Sequence, residues 1–227
     1  MKKLVLVSAL VVGACNATTL YIEFTNGSAQ TGPAALPGGP NATWQTFSED
    51  PNGSGLPVND VNGDPTGITL SYTSTQNYTG GCCGDFGPSY GDLADGYLSQ
   101  HSGSGTGTVT LSGFTPGESF ALYLYSERDC GCSSGTFSVN GSASQNTSTG
   151  TPGAFVLGGN YLIFDGTANV NGDVIVDYAP AAGSGEGEIN GLQLVATAPE
   201  PGATLLLFSG IVALCALRRR RRAAAIG

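Results

Sequence analysis

The residues of this chain best suited to covalent chemistry are Cys82-Cys83 and Cys130-Gly131-Cys132. In an exported protein they are expected to form disulfides. Bridging the first pair to the second, about 48 residues on, contributes about 4 kcal/mol for the first bond in the chain-entropy model, and less for the second. A four-thiolate metal centre is the rival reading, but Cys-Cys followed by Cys-x-Cys lacks the paired Cys-x-x-Cys spacing of such sites. Gly87-Pro88-Ser89-Tyr90-Gly91 fits the Gly-x-Ser-x-Gly pattern of a hydrolase nucleophile, and His101 is the single histidine. That chemistry needs a strand before the serine and a helix after it. The proline and glycines here read as loop, and His101, which opens the flexible-looking HSGSGTGT, reads as a surface loop residue.

Carboxylates are plentiful. Between about Thr18 and Ala198 there are sixteen Asp and Glu against one Arg, a net charge near −15. Two acids suffice for glycoside hydrolysis, so abundance alone selects nothing, and Glu186-Gly187-Glu188 reads as a solvated, glycine-rich approach to a strand. Calcium is a sharper use of acids. Asp60, Asn62 and Asp64 place oxygen side chains at alternate positions around Gly63, and Asn169-Val170-Asn171-Gly172-Asp173 repeats the pattern. The distal bidentate acid of a calcium loop is absent, and both segments are good turns before strands, which is the leading reading. Apart from calcium no cofactor is expected. Tyr78, Phe86, Tyr90 and Tyr97 form the expected glycan-stacking surface around the Cys82-Cys83 loop, whereas Trp44 reads as core. Nucleic acid is excluded as a partner by the acidic body and the absence of a basic stripe.

The elements that hold these residues show period-two alternation. Leu20, Ile22 and Phe24; Ile68, Leu70 and Tyr72; and Val109 and Leu111 each alternate with polar neighbours. Phe120 to Tyr125 is apolar on both faces and suits a central strand. Further strands are expected at Thr136–Val139, Tyr161–Phe164, Val174–Tyr178 and Ile189–Val195. Asn26-Gly27, Asn62-Gly63, Asn140-Gly141 and Asn171-Gly172 supply turns. Nine to eleven short strands so punctuated predict an all-β fold, a single β-sandwich over residues 18–196. Seven Asn-x-Ser/Thr sequons, Asn77 and Asn146 among them, reflect composition.

The ends differ from the body. Lys2 and Lys3 precede a short apolar run and small residues, the pattern of a secretory signal peptide over residues 1–17. Cleavage is expected on either side of Cys15; lipidation of Cys15 is the alternative. Near the other end, Pro199-Glu200-Pro201 precedes an apolar stretch from Ala203 to Leu217 and then Arg218, Arg219, Arg220, Arg221 and Arg222. Fifteen helical residues span about 22 Å against a hydrocarbon core of about 30 Å, a marginal transmembrane helix. The arginines hold the tail on the cytoplasmic side, and the prolines keep the peptide before the helix extended and exposed.

Tripeptide, helix and basic cluster, in this order over residues 197–227, resemble the PEP-CTERM sorting signal of exported Gram-negative proteins. The resemblance implies an inner-membrane-anchored precursor, signal peptidase and exosortase as processing partners, and delivery to the cell surface or extracellular matrix. VTLSGFTPGESFALYLYS, GTFSVNG and EINGLQLV further resemble strands of jelly-roll, galactose-binding-like bodies. The expected function is non-catalytic: structural, adhesive or glycan-binding, with extracellular polysaccharide as partner. The alternative is a carbohydrate-active enzyme, a glycoside hydrolase or lyase, on the same jelly-roll fold.

Overall fold

Alternating side chains in the body segregate onto the two faces of β-sheets in a computed structural model, which describes residues 17–25, 30, 34–36, 42–48, 51–79, 93, 96–126, 134–148 and 154–197. The strands are β1 (Thr18–Glu23), β2 (Gln45–Thr46), β3 (Gly53–Asn59), β4 (Pro65–Thr73), β5 (Gln76–Thr79), β6 (Gly96–His101), β7 (Gly107–Ser112), β8 (Ser119–Tyr125), β9 (Gly135–Val139), β10 (Gln145–Asn146), β11 (Tyr161–Thr167), β12 (Asp173–Pro180), β13 (Glu186–Ile189) and β14 (Gly191–Thr197). They form a five-stranded sheet β11-β8-β14-β1-β2, a six-stranded sheet β10-β9-β12-β7-β4-β3 and a three-stranded sheet β13-β6-β5. Pairing is antiparallel except between β1 and β2.

The two larger sheets pack as a sandwich because each turns one apolar face inward. Leu20, Ile22, Leu122, Leu124, Leu192 and Leu194 from one meet Leu70, Tyr72, Val109, Leu111, Val174 and Val176 from the other, all in one buried cluster. Successive strands pair in nested order: β6 with β13, β7 with β12 and β8 with β11. Each of these pairs lies in a different sheet, so one antiparallel ribbon wraps around the core, the winding of a jelly roll. β8 lies between β11 and β14, as expected of a segment apolar on both faces.

Fourteen strands are described where nine to eleven are expected, and three segments differ from their expected structure. Ile189–Val195 is not one strand. The chain breaks at Asn190, whose N–H donates to the Tyr125 carbonyl at 2.9 Å, whose carbonyl accepts from Phe24 N at 2.8 Å and whose Nδ2 donates to the Gly96 carbonyl at 3.0 Å. These bonds carry the chain from the three-stranded to the five-stranded sheet. Glu186-Gly187-Glu188 is not a solvated approach but part of β13, with Glu188 fully buried opposite Ser99. HSGSGTGT is a tight connection in which Gln100 Nε2 donates to the carbonyls of Ser104 and Gly105, and His101 ends β6 rather than lying in a loop. Among the described residues no helix is long and apolar enough to cross a membrane; Ala203–Leu217 lies outside them.

Candidate functional site

The outer face of the six-stranded sheet is built by the residues that alternate with the core. In β4, β7, β12 and β9 the outward positions are Thr69, Ser71 and Thr73; Thr108, Thr110 and Ser112; Asp173, Ile175 and Asp177; and Thr136 and Ser138. Strand register then assembles rows that no single segment contains. Ser138, Asp177, Thr108 and Thr73 face one another across four strands, with Thr73 Oγ1 and Thr108 Oγ1 hydrogen-bonded at 2.9 Å. Neighbouring rows hold Ile175, Thr110 and Ser71, then Asp173, Ser112 and Thr69. Such an array repeats about every 4.8 Å across the strands and about 6.8 Å along them.

At one end of this face lies a depression of about 370 Å³. Thr136, Ser138, Asp177 and Ala179 surround the backbone of the Phe137–Tyr178 pair, and Thr106 and Ser144 stand at its margin. The two rings point the other way, stacked in the core with centroids 6.4 Å apart. Burial raises the Tyr178 phenol well above its ordinary value, so its hydroxyl stays protonated and donates to the Thr73 carbonyl at 3.3 Å. A Cβ at Gly107 or Gly135 would stand 2.4 Å from the Tyr178 or Phe137 ring respectively. Glycine at these two positions therefore lets the backbone close over the rings and keeps the floor low.

Small outward side chains leave the space above that floor open, and hydroxyls supply both donors and acceptors. Among the described residues no hydrogen bond or ion pair takes up the side chains of Thr136, Ser138 or Asp177. The chain between residues 17 and 197 holds no lysine and one arginine, Arg128, which lies outside the described residues. This arrangement suits a polyhydroxylated ligand held by hydrogen bonds.

Of the expected aromatic surface, Tyr97 is corrected: its residue is 3% exposed, because β6 is covered on both faces. Tyr78 pairs with Tyr97 through the backbone of β5; Phe86 and Tyr90 lie outside the described residues. Trp44 is core, packed on Tyr21 and Tyr125 with centroids 5.1 and 6.2 Å away. The aromatic pair missed by sequence reasoning is Tyr123 and Tyr161, near-parallel at 6.4 Å and half-buried on the outer face of the five-stranded sheet. Its signal was the odd-numbered positions of the Phe120–Tyr125 stretch. Cys82, Cys83, Cys130, Cys132, the Gly87–Gly91 motif, Pro199, Glu200, Pro201 and Arg218 to Arg222 all lie outside the described residues.

Asp60–Asp64 forms a closed loop between β3 and β4. Asp60 Oδ1 accepts from Asn62 N at 2.8 Å and Asp64 N at 2.9 Å, and Oδ2 accepts from Asn62 Nδ2 at 3.2 Å. The Asp64 N–H, with those of Asn62 and Gly63, holds the Asp60 carboxyl below its ordinary value. The carboxylate oxygens thus serve the turn. Asn169 does the same work in the second loop, its Oδ1 accepting from Asn171 N at 2.8 Å and Asp173 N at 3.0 Å. Among the described residues no group of three or more His, Cys, Asp or Glu is placed to hold a metal ion.

One further buried acid, Glu23, escaped sequence reasoning. Glu23 is fully buried and accepts from Gln30 N at 2.7 Å, while Gln30 Oε1 accepts from Leu93 N at 3.0 Å. Near Glu188, the Ser99 hydroxyl donates to Glu186 Oε2 at 3.2 Å, and His101 Nε2 lies 3.7 Å from Glu186 Oε1. The serine hydroxyl donates its hydrogen bond to the carboxylate, so this trio does not present a serine to an imidazole base in the manner of a nucleophilic triad.

No protein-family model matches the chain, and no curated protein matches it significantly. Among solved structures, the plant receptor-like kinase ANX2 aligns over 82% of this chain and 52% of its own, at 14% identity and a TM-score of 0.49. The chain thus spans about half the length of that structure. A family 35 carbohydrate-binding module from Clostridium thermocellum aligns over 55% of this chain and 90% of its own, at 16% identity and a TM-score of 0.31. The CBM35 of Abf62 from Cellvibrio japonicus aligns over 58% and 98%, at 15% identity and a TM-score of 0.32.

Proposed function

We propose that this chain is an exported, non-catalytic protein of the cell surface or exopolysaccharide matrix that binds glycan on the outer face of its six-stranded sheet. The observation that carries the reading is the depression over the Phe137–Tyr178 pair, where Thr136, Ser138 and Asp177 offer hydrogen-bonding groups that no described residue takes up. Sugars are recognised by such groups because each ring hydroxyl both donates and accepts. Short side chains also lose little rotamer entropy on binding. Export and sorting rest on the ends of the sequence: a signal peptide cut by signal peptidase, and the Pro199-Glu200-Pro201 signal read by exosortase at the inner membrane. In that account the surface product, weighed intact, lacks Arg218 to Arg222; a product that retains them overturns the sorting.

Binding is tested with the full chain in mild detergent, by affinity electrophoresis through gels containing glucan, mannan or galactan. At least one polymer is expected to retard it. Thr136→Trp, which fills the depression from an outward-facing position, should weaken that retardation about tenfold, a loss of about 1.4 kcal/mol. Near-UV circular dichroism reports whether the variant keeps its packed core. Retardation by none of the polymers, or equal retardation of a folded Thr136→Trp variant, overturns the reading.

A further inference from the structure

The charge around the depression limits the class of glycan it accepts. Asp177 stands in it, and Asp173 lies on the same face four residues back along β12. The other outward side chains of β4, β7 and β9 are hydroxyls, so none of them offsets the two carboxylates. The body as a whole, with sixteen acids and one arginine between about Thr18 and Ala198, adds a long-range negative field. A carboxylate on a surface of this kind accepts two hydroxyl hydrogen bonds at once, and charge-assisted bonds are the stronger kind. The same group meets a uronate or sulfate ester with like-charge repulsion and gives it no donor.

Resting on the glycan reading above, we propose that the ligand of this depression is an uncharged polysaccharide, and that Asp177 is the specificity-determining residue that admits neutral sugars and rejects anionic ones. Its carboxylate receives a pair of adjacent sugar hydroxyls, while Thr136 and Ser138 supply the flanking donors and acceptors. The device needs no shape difference between the two classes of sugar. A hydroxymethyl group and the carboxylate made by oxidising it occupy similar space and differ in charge.

The test sets glucan, mannan and galactan, each beside its C6-oxidised uronate counterpart, against the full-length wild-type chain and Asp177→Asn. The wild type should bind a neutral polymer and discriminate against its oxidised partner, with the discrimination weakening as salt rises and shortens the range of the repulsion. Asp177→Asn keeps an acceptor at the same place but removes the charge. It should gain affinity for the oxidised polymer by about threefold to fivefold, the scale of one solvent-exposed charge pair. It should also lose affinity for the neutral polymer by about fivefold, the difference between a charged and a neutral acceptor. Together these move the selectivity ratio by about tenfold or more. Binding the oxidised polymer at least as tightly as the neutral one, or a ratio that Asp177→Asn leaves unmoved, overturns the selectivity alone. Failure of the wild type to bind any polymer overturns the glycan reading and the selectivity with it.

Discussion

The loops Asp60–Asp64 and Asn169–Asp173 share the pattern Asx-Val-Asn-Gly-Asp. They also share four hydrogen bonds: two from backbone N–H groups to the Oδ1 of the first residue, one from the first N–H to the last carbonyl, and one from the glycine N–H to the first carbonyl. Their surroundings differ. The first loop joins β3 to β4 within one sheet; the second carries the chain from β11 in the five-stranded sheet to β12 in the six-stranded one. Val61 donates to the Thr19 carbonyl, accepts from Thr43 N and packs against the cluster of Tyr21, Trp44 and Tyr125, whereas Val170 is 89% exposed. In the second loop it is Gly172 that is gripped, its carbonyl accepting from Gly113 and Phe114. The same local structure therefore uses its second residue as an anchor in one place and its fourth in the other. Local hydrogen bonding makes the loop, and the neighbouring sheet decides which residue it depends on.

The sharpest way to break this comparison is to add one methyl group to each glycine. Gly63 and Gly172 both have positive φ, 88° and 80°, so alanine at either costs about 1–2 kcal/mol in backbone strain. At Gly63 the new Cβ meets nothing within 4 Å, but at Gly172 it stands 2.2 Å from the Phe114 carbonyl oxygen. Gly172→Ala should therefore destabilise by about 2–5 kcal/mol, once about 1–3 kcal/mol of overpacking is added. Urea midpoints of the two variants check this, and equal losses would show that the sheet crossing imposes nothing on its loop.

A smaller effect sharpens the comparison at the first position. Alanine in place of Asp60 or Asn169 removes the acceptor of two backbone N–H groups and should cost about 1–2 kcal/mol. The loss should be greater at Asn169, whose bond to Asp173 N is partly buried, than at exposed Asp60. Smaller still is the acid response. The folded Asp60 carboxyl titrates below its ordinary value of 3.8, so its contribution to stability is complete above that value and is lost as pH falls through the lower folded one. Asp60→Asn copies the amide of the second loop and should leave stability near neutrality almost unchanged while removing this part of the acid sensitivity. Urea midpoints from about pH 5 to about pH 2 measure it; an undiminished response in Asp60→Asn would place the titrating group elsewhere.

How much of the fold was legible depended on whether one face of a strand meets water. β4, β7 and β12 each have one dry and one wet face, and their inward residues Leu70, Tyr72, Val109, Leu111, Val174 and Val176 stood out by alternation alone. β6 is buried at five consecutive positions, so Tyr97 carried no sign of its inside place and was assigned to the surface. β3 contains Gly53, Gly55 and Pro57, residue types that disfavour strands, yet it pairs with β4 along the edge of its sheet. An edge strand tolerates proline because its outer N–H row needs no partner. The dipeptide Asn190-Gly191 looks like the turns at Asn62-Gly63 and Asn171-Gly172, but its neighbours Phe24, Gly96 and Tyr125 make it a break between two strands that lie in different sheets.

The candidate site divides in the same way. That Thr136, Ser138 and Asp177 face away from the core was decided by sequence alone, because a two-residue period ties each of them to the buried Phe137, Val139 and Tyr178 beside it. That Ser138, Asp177, Thr108 and Thr73 share one row was decided only by tertiary structure. Their strands are joined through connections of many residues, and no local rule sets the register between them until both sheets close on a common core. The depression divides likewise: Gly135 meets the Phe137 ring two residues on in its own strand, a contact the two-residue period already sets, whereas Gly107 meets the Tyr178 ring across β7 and β12, a contact that has no meaning before the strands are paired.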